Sequence, residues 1–157
     1  MPELRRDPVV GRCVIISTER ARRPSDFQHT IVKTDVDHCS FCEGNESQTP
    51  PEIYAMRKSG SHGNGPGWEL RVVPSKHPVL RIEGNLERHG VGMYDMMNGI
   101  GAHEVIIESQ QHIPNLADLE ESQIGKVLST YVERITDLQK DPRLKYVLVF
   151  KNYGAAA

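Results

Sequence analysis

The sequence predicts an α+β domain with a mainly antiparallel sheet and one long packing helix. Two observations lead to this prediction: several short β-branched runs are bounded by turn residues, and one helical period extends from Ala117 to Gln139. The strands and the helix do not alternate regularly, which favours segregated strands over a parallel βαβ sheet. The length of 157 residues fits one domain of ordinary size.

The strand predictions depend on apolar, β-branched runs with turn residues on either side. We predict strands at 11–16, 52–57, 68–73, 79–82, 103–108 and 146–150. Pro74 and Pro78 predict a rigid bend between the third and the fourth of these strands. Segments 59–67 and 83–99 are rich in glycine and are predicted as loops, and 17–38 is predicted as a polar loop.

The predicted helix has one apolar face that we expect to pack on the sheet. Its apolar residues recur at spacings of three and four: Ile124, Val127, Leu128, Tyr131, Ile135 and Leu138. Acidic residues at 118, 120 and 121 suit the positive end of the helix dipole, and Pro142 marks the end.

Charge and hydropathy exclude two classes of partner. The formal net charge is −2 and the pI is near 6.4, so there is no bulk positive field that would bind nucleic acid or an anionic membrane. No apolar run approaches the roughly 20 residues needed to cross a bilayer, and no signal-peptide core follows the N-terminus. We therefore expect a cytoplasmic protein without nucleic-acid or membrane partners.

The segment Cys39-Ser40-Phe41-Cys42 is half of a candidate metal site. Two thiolates at this spacing can bind one tetrahedral zinc ion, and because there is no second Cys-x-x-Cys, the other ligands would be histidines or carboxylates. A redox pair and an inert pair are the alternatives; a redox pair would open a helix, whereas Gly44-Asn45 favours a turn. Cys13, in an apolar run, is interpreted as a small buried residue.

Seven histidines compete for the third ligand position. His112 is expected at the end of the strand that begins at His103, where a side chain can leave the sheet and meet a loop. His103 has nearly the same claim, and periodicity does not choose between the two. His38 adjoins Cys39, but adjacent residues rarely direct both side chains at one ion.

Several blocks in this order resemble one enzyme family over the whole chain. The blocks are Arg5-x-Asp7-Pro8, Gly11-x-x-Val14-Ile15-Ile16-Ser17, Arg20-x-x-Arg23-Pro24, Cys39-x-x-Cys42-x-Gly44-Asn45-Glu46, Thr49-Pro50, Gly101-x-His103-Glu104-Val105-Ile106-Ile107-Glu108-Ser109-x-x-His112 and Asn152-x-Gly154-Ala155-Ala156. The family that they resemble is that of the galactose-1-phosphate uridylyltransferases.

This resemblance implies a two-repeat, zinc-binding enzyme of the histidine-triad superfamily that forms a homodimer, with 1–157 as its N-terminal zinc-binding domain. A histidine attacks the α-phosphate of a UDP-sugar and holds the nucleotide covalently until a sugar 1-phosphate collects it. In the family this nucleophile is the second histidine of a His-x-His segment shortly after Asn-x-Gly-Ala-Ala. Since the sequence ends at Ala157, we expect the nucleophile to lie beyond it and this chain alone to be inactive.

The resemblance also implies roles for individual residues. Zinc would be bound by the two cysteines, by the histidine matching His112 and by the first histidine of the His-x-His. The residues implied to contact the nucleotide sugar fall into three groups, namely the phosphate ligands Arg20, Arg23 and Asn152, the pocket residues Gln48 and Thr49, and Ser75 and Lys76 beside the base or ribose.

Two features leave the base and the activity open. Ser75-Lys76-His77 stand where the uridylyltransferases carry Asn-Asp-Phe, and the segment from Cys39 to Glu52 also resembles the branch that transfers adenylyl groups between ADP-glucose and phosphate. A non-catalytic zinc module that binds a nucleotide or a partner chain is the alternative from another functional class.

Overall fold

The structure is a computed structural model that describes residues 1–17, 39–113 and 115–152. Within these ranges, two antiparallel sheets accompany one long helix, which confirms the predicted α+β class. The predicted polar loop lies outside the described residues except for Ser17, and so do Arg20 and Arg23.

The described residues form strands in two sheets. The strands are β1 (Glu3–Arg6), β2 (Cys13–Ile16), β3 (Tyr54–Arg57), β4 (Trp68–Pro74), β5 (His89–Val91), β6 (Tyr94–Asn98) and β7 (Glu104–Ile107). The four-stranded sheet has the order β2-β1-β6-β5, and the three-stranded sheet has the order β3-β4-β7. All strand pairs in them are antiparallel. Helix α1 spans Glu121–Leu138.

The central strand β4 carries half of the buried apolar residues that the structure describes, namely Trp68, Leu70, Val72 and Val73. Leu70 and Val72 pack with Val127 of α1, so the helix covers one face of the three-stranded sheet. The register shifts between Met56 and Arg57, and Trp68 therefore lies in a second cluster with Val73 and Ile107 rather than with Leu70. A one-residue shift turns a side chain to the opposite face of a sheet, and this shift directs the indole away from the helix.

The hairpin β5-β6 corrects the prediction of a loop at 83–99. Its two-residue connection is Gly92-Met93, with Gly92 at φ 59°. A positive φ at the first residue of such a connection matches the right-handed twist of the strands and favours glycine. One of the glycines that indicated a loop, Gly92, therefore supplies the turn. Strand β1 was not predicted, because its sequence Glu-Leu-Arg-Arg carries little β-branched character.

Two predicted strands are not found among the described residues. Segment 79–82 makes only an isolated parallel bridge from Arg81 to Ile100. Segment 146–150 is not in a strand, and Tyr146, Leu148 and Phe150 are exposed. Both predictions were wrong for the same reason: β propensity describes how side chains fit a pleated surface and does not supply the neighbouring strand.

The helix prediction is confirmed, with a later start. Val127 and Tyr131 of the predicted apolar face pack on the sheet, and Leu128 is the one exposed member of that face. Residues Leu116–Asp118 form a short 3-10 turn before α1. The buried residues of α1 are Val127, Thr130 and Arg134, whereas Leu128 is 54% exposed. Arg134 donates to the Glu104 carboxylate at 2.9 and 2.8 Å, which ties the helix to β7. None of the helices in the described ranges has the length and apolar character needed to span a bilayer.

Replacing valine by alanine at a buried and at an exposed position of α1 tests which face of the helix packs on the sheet. Val127→Ala should lower the free energy of unfolding by roughly 2 kcal/mol, because it leaves a cavity between α1 and β4. The matched control Val132→Ala lies on the same helix but is 66% exposed, and it should change stability by less than about 0.5 kcal/mol. Urea unfolding measures both, and equal losses would contradict this packing.

Candidate metal centre

Cys39, Cys42 and His112 converge at one point of the structure. One potential ligand atom from each lies within 4.8 Å of the other two, and Cys42 Sγ is 3.5 Å from His112 Nδ1. All three side chains are partly buried. Among the described histidines, cysteines and acids, this is the group whose atoms could hold a metal ion.

The distance between sulfur and nitrogen fits a zinc site. Zinc bonds of about 2.3 Å to sulfur and about 2.0 Å to nitrogen, at the tetrahedral angle, place the two atoms roughly 3.5 Å apart. The donor set of two thiolates and one imidazole also matches the ligands that zinc prefers. Three residues leave a fourth position for water or for another residue.

Residues 39–49, the cysteine loop, begin with a tight turn that places both sulfurs on one side. Cys42 N donates to Cys39 O at 3.2 Å, and Asn45 closes the turn by donating from Nδ2 to the same oxygen at 2.9 Å. Gly44 adopts φ 94°, a conformation that favours glycine. The cysteines lie in a turn and not at the start of a helix, which disfavours the arrangement expected of a thioredoxin-like redox pair.

Residues 108–113, which follow β7 and carry His112, form the histidine loop. A backbone hydrogen bond joins this loop to the cysteine loop. Glu43 N donates to Gln110 O at 3.1 Å, two residues before His112. Strand β7 ends at Ile107, so the prediction that His112 ends this strand was wrong, although His112 does meet the cysteines. His103 instead accepts a hydrogen bond from Val79 N at Nδ1, 3.2 Å away, and is not in the group.

Ionisation of both cysteine thiols is unfavourable because the two lie close together. Burial raises the pKa of the Cys42 thiol, and the neighbouring Cys39 raises this pKa further through a hydrogen bond and through its charge. A bound cation offsets this repulsion, because the thiolate and not the thiol is the metal ligand. Metal binding here would release protons and strengthen as the pH rises.

The residues predicted to contact the nucleotide sugar lie in separate parts of the structure. Gln48 belongs to the cysteine loop, where it accepts from Ser40 Oγ at 2.9 Å and donates to Asn45 Oδ1 at 3.1 Å. Thr49 donates to Glu46 O at 2.9 Å. The other described residues of this group belong to different segments of the chain. Ser75 and Lys76 lie directly after β4, and Asn152 is exposed. Among the residues that the structure describes, no hydrogen bond links these three side chains to the cysteine loop.

Sequence reasoning missed a buried polar cluster beneath the cysteine loop. Glu52 bonds to Arg57 at 2.5 Å and to Arg71 at 3.0 Å, and Arg71 is 1% exposed. Burial opposes ionisation of Glu52, but hydrogen bonds from Arg57, Asn64 and Arg71 hold its pKa below the ordinary value. Glu46 is also buried and accepts from the indole of Trp68. No sequence signal distinguishes these acids from solvated ones.

Comparisons with known proteins agree on one family. A family model described as "Galactose-1-phosphate uridyl transferase, N-terminal domain" matches residues 1–157. An ADP-glucose phosphorylase of Arabidopsis thaliana is 35% identical over 99% of this chain. A galactose-1-phosphate uridylyltransferase of Thermotoga maritima is 24% identical over 98% of the chain. The chain spans 44% and 42% of the lengths of these two relatives.

Solved structures give the same fold. The crystal structure of an ADP-glucose phosphorylase from Arabidopsis thaliana with bound ADP-glucose aligns with a TM-score of 0.53 at 34% identity, covering 93% of this chain and 41% of that one. A uridylyltransferase structure aligns with a TM-score of 0.57 at 24% identity, covering 88% and 35%.

Elemental analysis tests the convergence of these three residues. We expect one zinc ion per purified chain, and His112→Ala or Cys42→Ser should abolish it because each removes one of only three described ligands. The control His103→Ala should keep the metal, since that ring contacts the turn at Val79. Zinc retained by His112→Ala, or lost in His103→Ala alone, would contradict the ligand set.

Proposed function

Because the chain belongs to the galactose-1-phosphate uridylyltransferase family, we propose that it is the N-terminal, zinc-binding part of a nucleotidyltransferase acting on a nucleotide sugar. The observation that carries the proposal is the convergence of Cys39, Cys42 and His112 beside a loop that also contains Gln48 and Thr49. These are residues to which the family resemblance assigns the metal and the nucleotide pocket.

The proposed reaction moves a nucleotidyl group in two displacements. A neutral imidazole attacks the α-phosphorus and forms a phosphorus–nitrogen bond while the sugar phosphate leaves with the bridging oxygen. The phosphate oxygen of an acceptor then attacks the same phosphorus, and the imidazole leaves. None of the seven histidines of this chain stands in a His-x-His segment, so the attacking ring would come from outside these 157 residues.

The chain's own contribution would be binding and orientation. Arg20, Arg23 and Asn152 would contact the phosphates, where guanidinium groups bind oxygens bidentately. Bound zinc would cross-link the cysteine loop to the histidine loop, since two thiolates and an imidazole make a structural rather than an open catalytic site when a fourth residue is added.

The adenine nucleotide is the first candidate for the substrate. The ADP-glucose phosphorylase is 35% identical to this chain, and the uridylyltransferase is 24% identical. Ser75-Lys76-His77 also depart from the Asn-Asp-Phe of the uridylyltransferases. We therefore favour adenylyl transfer between ADP-glucose and a phosphate acceptor. The second candidate is UMP transfer between UDP-glucose and galactose 1-phosphate, favoured by the family description.

Ligand-detected NMR tests the substrate and the phosphate contacts together. The 157-residue chain should bind ADP-glucose with a Kd of about 1 mM, since two charge-assisted contacts contribute roughly 1.5–3 kcal/mol each. UDP-glucose should bind more weakly. Arg23→Ala should weaken binding about 10-fold or more, and added salt should reduce it.

The neighbouring Arg22→Ala removes the same charge and is the matched control, which should bind as the wild type does. Equal effects of the two substitutions would indicate a general charge effect and would contradict the role given to Arg23. A folded, zinc-loaded chain that binds neither nucleotide sugar would favour the non-catalytic module.

Intact-mass measurement tests where the nucleophile lies. After incubation with ADP-glucose or UDP-glucose, the mass of the 157-residue chain should not change, because its histidines include no His-x-His segment. A gain of one nucleotidyl group, retained after gel filtration under denaturing conditions, would show that a residue within the chain attacks the phosphate.

A further inference from the structure

Trp68 joins the two loops that carry the candidate metal ligands. Its indole Nε1 donates to Glu46 Oε1 at 2.7 Å, and Glu46 follows the cysteines in the same loop. The backbone oxygen of Trp68 accepts a hydrogen bond from the side chain of Gln110, two residues before His112. The indole is fully buried, so one rigid residue of β4 holds both loops.

The carboxylate of Glu46 completes the connection on the cysteine side. Gly44 N lies 3.1 and 3.2 Å from its two oxygens, so the carboxylate bridges the turn next to Cys42 and the indole. Burial opposes its ionisation, but hydrogen bonds from Trp68 and Gly44, with the charge of Arg71, lower its pKa below the ordinary value. Glu46 is therefore a charged acceptor facing two donors inside the protein.

Further hydrogen bonds make the arrangement stiff. Glu43, one residue after Cys42, donates from its backbone to Gln110 and accepts from Gly67 N at 2.7 Å. Among the described residues, no buried polar side-chain atom lacks a hydrogen-bond partner. Residues that hydrogen-bond to the segments carrying metal ligands fix the direction of those ligands. Loss of such residues typically weakens metal binding.

We propose that Glu46 and Trp68 are positioning residues for the metal centre: their buried hydrogen bond holds the cysteine loop at the distance from His112 that a tetrahedral ion requires. This inference rests on the proposed zinc site. Neither residue belongs to the group of candidate ligands. Their role is to keep Cys39 and Cys42 aimed at the imidazole before the metal arrives, so that binding does not have to order the loop.

Two nearly isosteric substitutions isolate the hydrogen bond. Glu46→Gln keeps the volume but replaces one acceptor oxygen by an amide that faces a donor, and Trp68→Phe keeps an aromatic ring but removes the N–H. We expect each to weaken zinc binding about 10- to 100-fold in competition with a chromophoric chelator. Because both remove the same contact, the double variant should be no weaker than the weaker single variant.

The matched control is Glu69→Gln, which removes one carboxylate next to Trp68. Glu69 pairs with Lys126 of the helix at 3.0 Å, and within the described part of the chain no hydrogen bond or ion pair joins its side chain to either ligand loop. We expect its zinc affinity to stay within about two-fold of the wild type. An equal loss in this control would attribute the effect to charge and overturn the proposal.

Cobalt absorption separates positioning from a purely structural role. Substituted cobalt reports the geometry of its ligands, so Glu46→Gln and Trp68→Phe should change the ligand-field bands of the cobalt-loaded chain while circular dichroism stays that of a folded protein. Unchanged bands and unchanged zinc affinity in the variants would overturn the proposal. If Glu46→Gln does not fold, Trp68→Phe decides by the same two measurements.

The wild-type result separates this inference from the proposal on which it rests. Wild-type protein that binds no zinc would remove the metal centre, and the positioning role with it. Wild-type protein that binds zinc, together with variants of unchanged affinity, would leave the metal centre intact and overturn only the role of Glu46 and Trp68.

Discussion

The burial of β4 on both faces is the constraint on which the rest of the structure depends. Helix α1 covers one face through Val127, and the cluster of Trp68, Val73 and Ile107 lies on the other. The register shift beside Trp68 divides these roles, because without it the indole would point toward the helix. Through Glu46, the loop of the candidate metal centre is hydrogen-bonded to Trp68, which belongs to the cluster that the helix does not cover.

Charged residues in this interior are balanced by hydrogen bonds and by opposite charge. Glu52 pairs with Arg57 and Arg71, and the charge of Arg71 also stabilises the ionised form of Glu46. Arg71 lies over the Trp68 ring at 5.6 Å from its centroid. Removing one member would leave a buried charge unpaired, which costs more than the pair contributes. Since the pKa of Glu52 is lowered, its stabilising effect is present above its unfolded-state pKa and is lost as the pH falls through the folded-state value.

The local sequence pattern was sufficient to predict an element that makes its hydrogen bonds within itself. A helix forms its hydrogen bonds internally, and the period at 117–139 predicted α1 with only its first turn misplaced. The strands predicted at 68–73 and 103–108 were also found. The first shows alternation of apolar and charged residues, and the second contains the β-branched run Val105-Ile106-Ile107. The hairpin β5-β6 and segment 146–150 were mispredicted, since a strand depends on a neighbour that local sequence does not specify.

The sequence by itself determined the family, the fold class and the cysteine pair with its candidate histidine, because thiolate spacing and the order of the motif blocks are properties of the chain. Local pattern did not choose between His112 and His103, and the family resemblance implied His112. The tertiary structure brings His112, and not His103, to the cysteines, because this depends on where two distant loops meet. The same holds for Glu46 and Trp68. A glutamate in a polar loop becomes a buried acceptor only when a shifted register on β4 brings an indole N–H to it.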